Sequence, residues 1–210
     1  MAEAGVSVII IVKGVIMQNK FDQAIEFAVN AHSGMKRKGK ETPYIVHPLE
    51  ALTIASTLTD DVNVLCAAVL HDTVEDSDTT ISDIKELFGD KVARLVASDS
   101  ENKREDLPAS ETWEIRKTET LKFLEKAEKD EQIIALSDKL SNMRAIYRDY
   151  QTLGEELWKR FNIKEKQKHA WYYCGIAERL KDLTDTFAYK EYVELIKKVF
   201  GENLVKEQMS

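Results

Sequence analysis

Three features of the sequence predict an all-α, single-domain fold. Proline and glycine are scarce, 3 and 8 among 210 residues, whereas Ala, Leu, Ile, Glu and Lys, all good helix formers, are abundant. Apolar residues recur every three or four positions instead of alternating, the period of a helix buried on one face. Hydrophobic residues make up 43% and charged residues 32%, which suffices to close one substantial core and is too apolar for a disordered chain.

The elements follow in order. Gly5 to Ile16 is rich in Val and Ile, but Lys13 interrupts it and it is well short of the roughly 20 residues that span a bilayer. Glu3 stands where a secretory leader carries basic residues, and no small-x-small site follows. Residues 1–16 are therefore expected to be an arm outside a body that begins at Met17. From Asn19 to His32 the residues Phe21, Ile25, Ala28 and Val29 mark a first helix, which Ser33-Gly34 stops. A basic loop, MKRKGKETPY over 35–44, leads to His47-Pro48, where Pro is tolerated in the first turn of a second helix reaching about Thr57. Asp60-Asp61 caps a third, Val62 to about Asp72, which is apolar almost all round and so belongs at the centre. Asp78-Thr79-Thr80 caps Ile81 to Phe88; Gly89-Asp90 separates it from Val92 to Ala97. Residues 98–111 have no periodic apolar face and read as a loop. Helices are expected over Thr112–Lys126, Glu131–Tyr150, Leu153–Phe161, Lys164–Thr184 and Lys190–Phe200.

Charge and cysteine narrow the function. Thirty basic against 37 acidic residues give a net charge of -7, which opposes unspecific binding to nucleic acid or anionic membrane. Cys66 and Cys174 lie far apart in apolar surroundings, with no CxxC spacing; a reducing, cytoplasmic location is expected.

Chemistry-bearing residues gather at three places. His71-Asp72-Thr73-Val74-Glu75-Asp76 crowds an imidazole and three carboxylates at the polar end of the most apolar helix, and continued helical geometry would set Glu75 one turn beyond His71 and Asp76 one turn beyond Asp72. Such a cluster is costly unless a cation or protons neutralise it. Asp138 precedes Asn142 by four residues and borders an apolar stripe. His47 opens the second helix. Each has a plainer reading alone: a solvated helix end, a surface ion pair with Lys139 or Arg144, a capping histidine. Together His47, His71, Asp72 and Asp138 form a mixed nitrogen and oxygen set that suits Mn²⁺ or another divalent transition ion better than Ca²⁺ or structural zinc. Four protein ligands leave coordination positions open, the mark of a catalytic site. His32 and His169, with Trp113 and Trp158, are assigned to packing.

The succession AHSGMKRKGKETPYIVHPLEA, AAVLHDTVEDSDTT, FGDKVARLV and IIALSDKLSNMRAI resembles the HD-superfamily hydrolases of the RelA/SpoT type, which remove pyrophosphate from the 3′ position of (p)ppGpp. The likeness runs over about residues 19 to 150. It implies metal ligation by His47, His71, Asp72 and Asp138, a catalytic acidic pair at Glu75 and Asp76, and substrate contacts by Arg37, Lys38 and Asn142. Ser141 departs from it, standing where the family commonly has His, as does Ala145, where Thr is frequent. The resemblance implies a hydrolase domain over 17–184, a helix within 185–210 completing it, and a small hydrolase without a synthetase domain. The expected reaction is metal-dependent release of pyrophosphate from (p)ppGpp, through a water made nucleophilic by the ion. A hydrolase of another phosphorylated nucleotide, such as a nucleotide monophosphate or NADPH, and a non-catalytic nucleotide-sensing module are the alternatives. A phosphorylated nucleotide is the expected partner, and homo-oligomerisation is left open.

Overall fold

A computed structural model describes residues 19–102, 104 and 106–209. The expected arm, residues 1–16, and Met17 lie outside the described residues. Several helices start at capping side chains. Asn19 accepts from the backbone N–H of Asp22 at the head of α1 (Lys20–Ala31), and α2 follows over Val46–Ala55. Asp61 caps α3 (Val62–Leu70) by accepting from Asn63 N–H, and Thr80 with Asp83 forms a reciprocal capping box on α5 (Ile81–Phe88). Between them lies the one-turn α4 (Thr73–Asp76). Next come α6 (Asp90–Asp99), α7 (Ala109–Leu124) and α8 (Lys129–Leu153), the last opened by a Glu128–Glu131 capping box. A 3₁₀ segment, Gly154–Arg160, precedes α9 (Lys166–Arg179); α10 (Phe187–Phe200) and α11 (Glu202–Gln208) close the chain. No strand occurs among the described residues, in agreement with the all-α expectation.

Several boundaries differ from the sequence reading: the helix expected over Lys164–Thr184 ends at Arg179 and gives way to a 3₁₀ turn over Lys181–Leu183, and α8 extends beyond the expected Glu131–Tyr150 at both ends. The third helix stops at Leu70 instead of Asp72, because the His71 ring and the Thr73 hydroxyl take up the carbonyls of Ala68 and Leu70 at 2.9 and 2.7 Å. The stretch over 98–111 is shorter as a loop, since α6 continues to Asp99 and α7 starts directly after Pro108. The segment after Leu153 is 3₁₀, not α. Gly201, at φ 88°, turns the chain into α11, a short helix whose one buried residue, Val205, left no periodicity to read.

The core is organised around α3 and α8. Val64, Cys66, Ala67, Ala68, Val69 and Leu70 of α3 are all buried, as its unbroken apolar sequence requires. Helix α8 packs against α2, α3, α6 and α10. It buries Ile133, Ile134, Leu136, Leu140 and Met143, so that the one polar stripe it turns inward, Ser137, Asp138 and Ser141, faces the junction with α2 and α3. The basic loop is folded onto itself by an antiparallel bridge between Lys36 and Pro43 and by bonds from Arg37 N–H to the Thr42 carbonyl and from Tyr44 N–H to the Met35 carbonyl, both 2.9 Å. Gly39 supplies the φ of 70° this reversal needs; a Cβ there would also come 3.3 Å from Arg160 Cδ.

Candidate metal centre

The ends of α2, α3 and α8 bring together the four side chains expected to hold a metal. His47 sits in the first turn of α2, His71 and Asp72 fill the corner between α3 and α4, and Asp138 is on the inner face of α8. His47 Nε2 lies 3.1 Å from Asp138 Oδ1 and 3.3 Å from Asp72 Oδ2. His71 Nε2 lies 3.1 Å from Asp72 Oδ2, 3.8 Å from Asp138 Oδ1 and 3.2 Å from His47 Nε2. His47, His71 and Asp138 meet the spacing of a mutually close ligand group, and Asp72 joins through its approach to both imidazoles. Adjacent ligands about 2.1 Å from an ion are roughly 3.0 to 3.4 Å apart in octahedral or tetrahedral geometry, so the cluster has the dimensions of a coordination shell.

Its chemistry points the same way. All four residues are withdrawn from solvent, with side-chain exposures of 1 to 17%. Burial alone would raise the carboxyl pKa of Asp72, yet the His71 charge and the hydrogen bonds from both imidazoles hold it well below the usual range. Burial likewise opposes ionisation of Asp138, and Lys139 with the two imidazoles reverses the effect. Burial would lower His71, but Asp72 and Asp138 push it up to about 10. The site is thus built to hold positive charge against two ionised carboxylates, with imidazole nitrogens pointing at the same spot. A divalent ion that accepts mixed nitrogen and oxygen ligands fits this donor set. A bond from Tyr44 Oη to Asp72 Oδ2, 2.7 Å, steadies one ligand, and Lys139 pairs with Asp138 from the side.

Glu75 and Asp76 follow on α4. The corner at His71 does not disperse them, since Asp76 N–H still donates to the Asp72 carbonyl at 3.0 Å. Burial pushes Glu75 up to about 7, opposed by an N–H donated from Glu101 at 2.5 Å and reinforced by the charge of Asp72. Arg37 donates to Asn142 Oδ1 at 2.9 Å, and Asn142 donates to Asp138 Oδ1 at 2.5 Å. Two of the three expected substrate residues, Arg37 and Asn142, therefore connect to the cluster. Lys38 stands further out: its Nζ reaches Asn162 at 3.4 Å and lies 6.0 Å from the Phe161 ring centre. Arg37, Lys38, Tyr44, Asn142, Phe161 and Tyr173 line a cavity of about 220 Å³ beside the cluster, with cations and aromatic faces on its walls.

His32 and His169 are buried, as expected of packing residues. His169 is surrounded by Trp113, Trp158 and Phe161 and bonds the Ile163 carbonyl at 3.0 Å. His32 lies against Tyr44, its ring nitrogens unpartnered among the described residues. Sequence reasoning gave no role to Tyr44, Glu50 or Asp99, and named Lys139 only as a surface ion-pair partner of Asp138, a pair that the structure forms away from solvent. Asp99, at the end of α6, is raised by burial and by the nearby carboxylates of Asp138 and Asp72. Tyr44 was visible three positions before His47, and Glu50 three positions after it on the same helical face. Asp99 carried no such signal, because α6 meets α3 and α8 only in three dimensions.

The chain is also similar to known proteins over most of its length. The family model described as HD domain matches residues 24–163. A guanosine-3′,5′-bis(diphosphate) 3′-pyrophosphohydrolase of Aquifex aeolicus is 32% identical over 190 residues, 90% of this chain but only 26% of that protein's length. The human guanosine-3′,5′-bis(diphosphate) 3′-pyrophosphohydrolase MESH1 is 34% identical over 184 residues, covering 86% of this chain and 92% of its own. Among solved structures, a metazoan orthologue of SpoT, described as hydrolysing ppGpp, superposes with a TM-score of 0.70 at 27% identity over 86% of this chain and 96% of that one. A Listeria monocytogenes protein superposes with a TM-score of 0.65 at 31% identity, covering 74% of this chain and 99% of that one.

Proposed function

The chain belongs to the HD domain family, and from that premise we propose that it is a Mn²⁺-dependent hydrolase that releases pyrophosphate from the 3′ position of (p)ppGpp. One observation carries the reading: His47, His71, Asp72 and Asp138 converge beside a cavity bearing Arg37 and two aromatic rings, Tyr44 and Tyr173. Relatives that match across nearly their whole length carry the same activity in their names.

A divalent ion at the cluster supplies Lewis-acid polarisation of phosphate oxygens and makes water more acidic. The remaining work falls to this chain's side chains. Glu75, with a carboxyl poised near neutrality, accepts the proton of the attacking water, and Asp76 helps orient it. Water adds to the phosphorus attached to the ribose 3′ oxygen, the bond to that oxygen breaks, the proton taken up by Glu75 passes to the 3′ oxygen, and the 3′ hydroxyl product and pyrophosphate leave. Arg37, whose fork can engage two phosphate oxygens, and Lys38, a point charge at the cavity rim, hold the phosphates. Asn142 keeps Arg37 in register with Asp138. The base faces the aromatic wall of Tyr44, Phe161 and Tyr173.

The test is a panel of candidate nucleotides incubated with purified protein and Mn²⁺, with pyrophosphate and orthophosphate measured separately. Pyrophosphate from (p)ppGpp alone is the expected result. Orthophosphate from NADPH or from a nucleotide monophosphate, with (p)ppGpp untouched, would replace the substrate while retaining the metal chemistry.

A further inference from the structure

We propose that Ser141 and Glu50 form a relay that holds His47 in its metal-binding tautomer, making Glu50 a positioning residue for the site; this deepens the metal-hydrolase reading and rests on it. His47 Nδ1 lies 2.8 Å from Ser141 Oγ, and that hydroxyl lies 2.8 Å from Glu50 Oε2. Two helices each contribute one ligand and one relay member at a spacing of three residues, His47 with Glu50 on α2 and Asp138 with Ser141 on α8, so both pairs share a face.

The direction of the bonds follows from what each group can do. An ionised carboxylate only accepts, so the hydroxyl proton of Ser141 points at Glu50. What Ser141 then offers His47 is a lone pair, and Nδ1 must carry the ring proton. With a proton held at Nδ1, Nε2 is the nitrogen left to turn its lone pair to an ion once the proton it shares with the carboxylates leaves; it lies 3.1 Å from Asp138 Oδ1 and 3.2 Å from His71 Nε2. His71 has its Nδ1 proton held by another route: that nitrogen faces the Ala68 carbonyl at 2.9 Å, a backbone acceptor that no side-chain change can reverse. His47 depends on side chains alone. Glu50 is steadied in turn by Arg144, 3.4 Å from its other oxygen, and Arg144 is gripped by both oxygens of Glu191 on α10 at 2.7 Å. Ser141 is 1% exposed, so its hydroxyl is committed to these two partners and not to bulk solvent.

The relay predicts the same loss from two substitutions that act by different routes. Ser141→Ala removes the acceptor at Nδ1. Glu50→Gln keeps the shape but presents an amide that can donate to Ser141, which frees the Ser141 proton to point at His47 and drives the ring proton to Nε2, where it blocks the ligand lone pair. With four histidines in the chain, ¹⁵N-histidine labelling of the metal-free full chain gives resolvable long-range spectra that report each tautomer. Mn²⁺ affinity is measured in parallel by the free-ion electron paramagnetic resonance signal.

Wild type is expected to show His47 protonated at Nδ1 and to bind Mn²⁺. Both variants should shift that tautomer and weaken Mn²⁺ binding about 10- to 100-fold, with the His71 signals unchanged as proof that the site is folded. Ser141→Thr, which keeps the hydroxyl, should restore both. Unchanged affinity and tautomer in Glu50→Gln would overturn the relay, as would weakened binding with His47 still in the wild-type tautomer, which would mark a packing role. Wild type that binds no Mn²⁺ would instead overturn the metal-hydrolase reading itself.

Discussion

Asn142 donates its side-chain amide to the Asp138 carboxylate across 2.5 Å, one helical turn apart on α8. Its oxygen simultaneously accepts from Arg37. Asp138 of the proposed metal cluster and Arg37 of the proposed phosphate-binding wall are therefore held by one amide.

Loss of Arg37 is accordingly expected to act on substrate more than on metal. Arg37→Ala should raise KM for the phosphorylated nucleotide about 10- to 100-fold, the worth of a charge-assisted hydrogen-bond pair, while Mn²⁺ occupancy by elemental analysis stays near that of wild type. An unaltered KM would remove Arg37 from phosphate binding.

The ligand set is tested by deletion of its members one at a time. His71→Ala and Asp138→Ala should each abolish tight Mn²⁺ binding and reduce kcat at least about 1,000-fold. Chelation of wild type should have the same effect and be reversed by added Mn²⁺. A variant that keeps full metal occupancy would exclude that residue as a ligand.

Glu75 governs the expected pH dependence. Burial lifts its carboxyl up to about 7, and a base works only when deprotonated, so kcat/KM should rise with pH through that region and level off above it. Glu75→Gln should leave metal in place, lower kcat about 100- to 10,000-fold and erase the acid limb. The same shift has a stability consequence. Between the ordinary carboxyl range and about 7, the folded chain retains a proton that the unfolded chain has released, so the stability this proton confers is present at low pH and lost as pH rises through about 7. Glu75→Gln should therefore raise Tm more at pH 8 than at pH 5, and an equal shift at both would contradict the buried state of this carboxyl.

Stability away from the site should separate from catalysis. Ile176 of α9 is wholly buried, and Ile176→Ala is expected to cost about 2 to 5 kcal/mol. That should appear as a Tm lowered by roughly 2 to 4 °C per kcal/mol at this chain length, with KM unchanged at temperatures where the variant is folded.

Helix content was legible because it depends on period and caps, which are local. Asn19, Asp61 and Thr80 each occur immediately before a periodic apolar run, and each is found capping. The 25-residue α8 was evident from Ile133 to Ile146, and α3 from its lack of any polar face. Less legible were α11, with too little apolar surface to leave a pattern, and the corner at His71, where side-chain bonds to the Ala68 and Leu70 carbonyls interrupt a run that periodicity alone would extend. Among the site residues, Lys38 proved more peripheral than Arg37, since the turn at Gly39 directs neighbouring side chains to different walls.

What the chain's order of residues determined by itself was an all-helical body and the identity of the groups able to bind a cation, because both are written in short-range patterns of charge, polarity and spacing. What only the tertiary structure decided was that the imidazole nitrogens and carboxylate oxygens of His47, His71, Asp72 and Asp138, from α2, the corner after α3, and α8, lie within 3.1 to 3.8 Å of one another, and that Ser141 and Glu50 stand behind His47. Those distances are set by how α2, α3 and α8 pack, and packing is a property of side-chain volumes meeting across the core, which no local stretch of sequence contains.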